Sequence, residues 1–246
     1  MTPAHTKYED KLISTISHKL RTPLNSILGF SELLLDQAFG HLNEKQRHYL
    51  NNINKSGEAL LALLNDLIDL MNVKWGDIQV QYSAFPLNNA IGNAVQSIQQ
   101  FADLKNISLE IQSDPRIETI KADEPKIEKI LHYLLSNAVK FTPSGGQVKI
   151  TTKYLDRPPS RLSSSGFQNF VEVSVTDTGI GIQPNDQEKI FSEFYQVNST
   201  QSQEFEGTGL GLSVARDLIT MHHGDIWVES EEGKGSRFIF TIPLPD

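Results

Sequence analysis

Two stretches of this chain repeat apolar residues on a strict three-four alternation, and that spacing limits what they can become. The first runs Ile13, Ile16, Leu20, Pro23, Ile27, Phe30, Leu34, and the second Leu50, Ile53, Gly57, Leu60, Leu64, Leu67, Met71. On an α-helix such steps keep one stripe on a single face, the seam of a coiled coil or four-helix bundle. Between them DQAFGHLN (36–43) is polar and holds a glycine, so the two helices are expected to fold back as a hairpin. Leu24, Leu28, Leu33, Leu61 and Leu63 widen the apolar surface beyond what one hairpin hides. Pairing two copies into a four-helix bundle is the expected remedy, giving a homodimer. The alternative is that the hairpin packs on the rest of its own chain.

On this wheel His18 falls at heptad position f, opposite the seam, where an exposed side chain is expected. Pro23 removes a backbone donor one turn further on and predicts a kink. The net charge of −8 argues against nucleic acid as a partner, because phosphate backbones attract basic faces. The absence of cysteine excludes disulfides and thiolate metal sites. ALLALLNDLIDLM (59–71) is too short and too polar to span a bilayer, and the first residues have no apolar signal region. This segment is therefore expected to be soluble and cytoplasmic, without membrane contact, though a full-length protein could still be membrane-anchored.

After Met71 the period changes. VKWGDIQVQY (73–82) predicts a turn and short strand, residues 87–105 a helix, and 107–113 a strand. EPKIEKILHYLLSNAVKF (124–141) predicts a helix with Asp123 as its N-cap. Strands follow at 146–155 and 170–177, a helix at 210–223, and a closing hairpin around EEGKG. Helices and strands without βαβ regularity indicate an α+β class. The Pro/Ser-rich DRPPSRLSSSGFQN (156–169) is expected to be a mobile surface connector. The predicted division is 1–76 for the helical hairpin and 77–246 for an α+β two-layer sandwich.

Three segments of the second part carry chemistry. DTGIGI (177–182) ends a strand with an acid and two glycines, and EGTGLGL (206–212) leads alternate glycines into a helix. Both suit close approach of backbone to phosphate, with a helix N-terminus favouring the anion. No P-loop or dinucleotide fingerprint is present. In LLSNAVKFTPSGG (134–146) Asn137 and Lys140 share one helix, an amide oxygen for a metal and a cation for phosphate.

Together these residues carry a resemblance. ISHKLRTPLNSILGF (16–30) resembles the phospho-acceptor box of sensor histidine kinases. LHYLLSNAVKFT is similar to their asparagine box, DTGIGI to the first glycine box, EKIFSEFYQV to the phenylalanine box and EGTGLGLSVARDLITMHHG to the second glycine box. All five stand in family order across residues 8–245. The resemblance implies a dimerisation and phosphotransfer hairpin followed by an ATP-binding domain of the type shared with gyrase and chaperone ATPases. Its substrate would be ATP, with Mg²⁺, and its partner the receiver domain of a response regulator.

Carried over by position, Asp177 would accept from the adenine amino group, and Gly179 and Gly181 would shape the adenine pocket. Asn137 would hold Mg²⁺, Lys140 would stand near the phosphates and Phe141 near the base. Gly207, Thr208, Gly209, Leu210 and Gly211 would lie along the triphosphate, the glycines hinging a lid. The polar NSTQSQEFE (198–206) is expected to be mobile until nucleotide binds. The implied reaction moves the γ-phosphoryl group to His18 and then to an aspartate of the regulator, and Thr22 would support dephosphorylation of that regulator.

Two positions depart from the family. Lys19 stands where an acid usually follows the histidine, and loss of general-base help costs roughly 10²- to 10⁴-fold. Tyr133 stands where the family usually has a second asparagine. An alternative function follows, a nucleotide-binding regulator with weak autokinase acting as phosphatase or scaffold. A non-kinase ATPase is a third reading, against which the heptad hairpin counts.

Overall fold

A computed structural model describes residues 3–75, 80–162, 166–197 and 207–244, with side chains from residue 19 onward apart from Trp75. Contacts divide the chain into two compact units, Met1–Ile78 with Glu206–Leu210, and Gln79–Phe205 with Gly211–Asp246.

The first unit is an α-helical hairpin of α1 (Pro3–Leu35) and α2 (Glu44–Trp75). Helix α1 continues through Pro23 as a single assigned element. The turn between them ends in a capping box. Asn43 Oδ1 accepts from Gln46 N–H at 2.9 Å, and the Gln46 side chain accepts from Asn43 N–H at 2.9 Å. Within the hairpin the helices meet where Leu24 and Leu28 pack on Gly57, and Ser31, Leu64 and Leu70 are buried as well. Gly57 permits this approach, since a Cβ there would stand 2.7 Å from Leu28 Cδ2. Arg21 reaches across to donate to Asn65 Oδ1 at 3.0 Å. Most described seam residues stay exposed: Leu20, Ile27, Phe30, Leu34, Ile53, Leu60 and Leu67. The side chains of Ile13, Ile16 and His18 lie outside the described residues.

The second unit contains β1 (Ser83–Pro86), α3 (Leu87–Leu104), β2 (Ser108–Gln112), β3 (Thr119–Ala122), α4 (Glu124–Phe141), β4 (Gln147–Leu155), β5 (Asn169–Asp177), α5 (Gly211–Met221), β6 (Asp225–Glu231) and β7 (Gly235–Leu244). Five strands form a mixed sheet in the order β2-β4-β5-β7-β6, parallel only between β2 and β4. Strands β1 and β3 pair separately and antiparallel. Helices α3, α4 and α5 pack on the sheet, with α4 between the other two. The interface is apolar: Ile127, Ile130, Leu131, Leu134 and Leu135 of α4 are fully buried, as are Val148, Ile150, Val173, Val175 and Phe240 of the sheet. This is the expected α+β architecture.

The start of the unit differs from the expectation. Helix α2 extends to Trp75 and residues 80–82 form no strand; β1 comes later, at Ser83–Pro86. The Gln81 N–H is taken by the Asp123 carboxylate at 2.9 Å instead of by a ladder. Residues 76–79 of the expected strand lie outside the described residues. The connector after β4 is also less free than its composition implied. It holds a 3₁₀ turn at Ser160–Leu162, with Arg161 over the Trp227 ring at 5.6 Å and Phe167 stacked on His223 at 5.9 Å. The expected mobility of 198–206 falls outside the described residues. Among the described residues no helix is long and apolar enough to cross a membrane.

Candidate functional site

Asp177 is the last residue of β5, in the middle of the sheet, opposite Val148 on β4 and Ser236 on β7. Its side chain is buried, 6 % exposed. Oδ1 accepts from Gly179 N–H at 2.8 Å and from Ser236 N–H at 3.3 Å. No other described residue bonds Oδ2. Burial pushes the carboxyl up to about 6, against the two backbone N–H groups that favour the charged form. At neutral pH Asp177 is therefore ionised, with one oxygen fixed and the other uncommitted.

The glycines after Asp177 answer to space. At Gly179 a Cβ would stand 2.6 Å from Asp177 Oδ1 and 2.7 Å from Phe141 O. Gly181 has φ +72° and its Cβ would lie 2.0 Å from Glu231 O. The segment is bolted to the β6–β7 turn by Ile182 N–H donating to Ser230 Oγ at 2.8 Å and Gly233 N–H donating to Ile180 O at 2.7 Å.

Helix α4 brings Asn137, Lys140 and Phe141 to the same place. Asp123 caps its start, accepting from Lys126 N–H. At its other end the last four carbonyls, normally without partners, are all satisfied. Ala138 O accepts from Thr142 N–H at 3.1 Å and Thr142 Oγ1 at 2.6 Å. Lys105 Nζ donates to both Val139 O and Lys140 O at 2.8 Å. Phe141 O accepts from Ile180 N–H at 3.3 Å, which joins the helix end directly to the DTGIGI segment. Lys140 Nζ lies 4.9 Å from the Phe141 ring centroid. Asn137 is half-buried, and none of the described residues bonds its amide.

In the second glycine segment Thr208 Oγ1 donates to Asp66 Oδ2 at 2.6 Å and accepts from Leu210 N–H at 3.1 Å. Gly209 has φ +72°, Leu210 is buried, and Gly211 opens α5. On α1, Lys19 and Thr22 are exposed, and Thr22 O accepts from Ser26 Oγ at 3.1 Å. The structure thus brings Asp177, Gly179 and Gly181 together with Phe141 and the α4 turn bearing Asn137 and Lys140. Lys105, which clamps that turn, escaped the sequence reading. Its only signal was a basic residue just after an amphipathic helix, and its partner carbonyls lie over thirty residues away.

The donor set fits a nucleotide with a hard cation. A buried carboxylate oxygen awaits a donor, the Gly179 and Gly181 sites have no room for side chains, and a neutral amide oxygen stands one turn from a cation. Among the described residues no cluster of His, Cys, Asp and Glu could hold a metal by itself. Such a set suits Mg²⁺, which keeps several waters and binds through few protein ligands together with phosphates.

Comparison with known families matches residues 122–246 to the histidine kinase-, DNA gyrase B- and HSP90-like ATPase, and residues 8–73 to the His kinase A phospho-acceptor domain. The circadian input-output histidine kinase CikA of Synechococcus elongatus is 38 % identical over 95 % of this chain and 30 % of its own. The crystal structure of full-length ShkA in complex with AMPPNP aligns with a TM-score of 0.73 at 29 % identity, over 95 % of this chain and 46 % of that one. Histidine kinase ThkA, in complex with response regulator protein TrrA, aligns with a TM-score of 0.62 at 25 % identity, over 96 % and 61 %. The chain spans less than a third of the length of the curated relatives it matches. The chain belongs to the sensor histidine kinase family, carrying that family's phospho-acceptor hairpin region and its ATPase domain.

Proposed function

We propose that this chain is an ATP-dependent protein-histidine kinase core that phosphorylates itself on His18 and passes the group to an aspartate of a response-regulator receiver domain. One observation carries the reading: the strand end at Asp177 and the clamped end of α4 form one bonded unit. A carboxylate with one uncommitted oxygen is joined there, through Gly179 and Ile180, to the end of the helix that bears Asn137 and Lys140. Asp177 Oδ2 accepts from the adenine amino group, and Gly179 and Gly181 leave room for the base, with Phe141 beside it. Lys140 offsets phosphate charge, Asn137 provides an oxygen ligand for Mg²⁺, and the segment Gly207–Gly211 follows the triphosphate. When bound, Mg²⁺ would neutralise part of the phosphate charge.

The rest is positioning by protein groups. A neutral imidazole nitrogen of His18 forms a bond to the γ-phosphorus as the bond to the departing ADP oxygen breaks. Lys19 cannot take up the imidazole proton, which passes to solvent, so the uncatalysed share of this step is large. Thr22, one turn on, supports dephosphorylation of the regulator, in which water takes the phosphoryl group from the aspartate and phosphate leaves. The hairpin works as a homodimer through its exposed seam, in the cytoplasm and without nucleic acid.

The test is incubation with γ-labelled ATP and Mg²⁺. Acid-labile, base-stable label is expected on the wild-type chain and none on His18→Ala. Lys19→Glu should raise the labelling rate, by up to roughly 10²- to 10⁴-fold if a full general base is restored. ADP release without histidine label would overturn the proposal.

A further inference from the structure

Tyr133 lies on α4 one helical turn before Asn137, so both face the same way along the helix. It is half-buried, and its ring stands edge-on to His132 with centroids 6.3 Å apart. What the ring meets is the first residue of α5. A Cβ built on Gly211 would lie 2.6 Å from Tyr133 Cδ1, 3.1 Å from Cε1 and 3.4 Å from Cγ. The ring therefore rests on the Gly211 backbone, and position 211 admits hydrogen alone while Tyr133 is there.

This contact lies where it matters. The first turn of an α-helix has N–H groups without helical partners, and these are the groups that meet an anion. Their distance from Asn137 depends on how closely α5 approaches α4 at its start. An aromatic ring is a stiff spacer with few rotamers, whereas a shorter, polar side chain would leave a gap. We propose that Tyr133 is a positioning residue whose ring, seated against Gly211, sets the stand-off between the first turn of α5 and the Asn137 face of α4, and so the affinity for the triphosphate. The shape of the ring sets this spacing. Tyr133 and Gly211 are then a matched large–small pair: an aromatic ring at 133 faces a position without a side chain at 211.

The inference rests on the proposed nucleotide site, and its test keeps the two apart. Affinities for a non-hydrolysable ATP analogue with Mg²⁺, and for adenosine, are measured on the wild-type chain, Tyr133→Phe, Tyr133→Asn, Gly211→Ala and the double variant Tyr133→Asn/Gly211→Ala. Gly211→Ala should weaken the ATP analogue about tenfold or more, as overpacking does, while adenosine affinity holds. Tyr133→Phe should match wild type, and the double variant should recover most of what Gly211→Ala loses. If Gly211→Ala does not fold, a double variant that folds and binds supports the pairing equally, and one that does not fold overturns it. A double variant no better than Gly211→Ala, a Tyr133→Phe as weak as Tyr133→Asn, or an equal fall for adenosine would each overturn the inference. Failure of the wild-type chain to bind the analogue at all would instead remove the nucleotide site itself.

Discussion

The two units treat the same kind of residue in opposite ways. In the hairpin Phe30 is 68 % exposed and Leu60 54 %, although both lie on the apolar seam. In the ATPase unit Leu131 and Leu134, spaced no differently along their helix, are 0 % exposed. The hairpin closes on itself through Leu24 and Leu28, which lie off the seam, and through Gly57 and Leu64 of the seam, which leaves most of the other described seam residues exposed. The ATPase unit has one core, shared by a sheet and three helices. Apolar periodicity reports that a face will be covered, and what covers it depends on whether the chain brings its own partner layer.

That contrast breaks most easily by substitutions of similar size on each side. Leu131→Ala, deep under the sheet, should destabilise the ATPase unit by about 2–5 kcal/mol, read as a lower thermal midpoint for that unit. Oligomeric state should not change. Phe30→Glu should do the reverse. Losing apolar burial worth about 1.5–3 kcal/mol per copy should weaken self-association tenfold or more in sedimentation, with the ATPase unit melting as before. If Phe30→Glu left association untouched, the seam would not be the dimer face.

Burial inside the ATPase unit is not uniformly favourable, and Asp177 is the place to sharpen this. Its carboxyl is raised to about 6 in the folded unit. Between the ordinary carboxylate range and about 6 the folded form binds a proton that the unfolded form has released. Stability therefore falls as pH rises through that window and stays lower above it. Asp177→Asn keeps the backbone N–H acceptor and removes the charge. It should melt higher than wild type at pH 7–8, an advantage that disappears near pH 4. Affinity for an ATP analogue should drop about 10- to 100-fold, the usual worth of a hydrogen bond to a charged group. In the wild type that affinity should decline as pH falls through about 6, and in the variant much less. A variant less stable at pH 8 would contradict this account of the site.

Much of this was legible from residue order. The seams, the helix at 124–141 with its Asp123 cap, the central strands and the glycine segments follow from period, capping and turn chemistry, all local in sequence. What escaped was decided by distant partners. Thr119–Ala122 became a strand because Ser83–Pro86 lies beside it, and Gln81 left the ladder because Asp123 took its N–H. The 156–169 connector looked free because composition cannot show Arg161 finding Trp227. At the site, Asp177 and its glycines were visible, but not their bond to the end of α4 through Ile180, nor the ring of Tyr133 on Gly211.

Lys105 gives the smallest effect and the finest test of how the two units differ. The hairpin meets chiefly through apolar faces and an Arg21–Asn65 bond between exposed groups. The working end of α4 is held by a cation on its carbonyls. A charge at a helix C-terminus contributes about 1 kcal/mol and can reach about 2 when partly buried. Part of that is offset here, because burial lowers the Lys105 ammonium from its ordinary value. Lys105→Met keeps the apolar stem and leaves Val139 O and Lys140 O without their donor. The last turn should loosen, moving Lys140 and Phe141. The expected result is a rise of about fivefold in KM for ATP, with kcat for His18 labelling nearly unchanged and partial recovery in Lys105→Arg. Equal losses in kcat and KM with no recovery by arginine would mean that Lys105 supports the fold at large and leaves the nucleotide end of α4 to its other bonds.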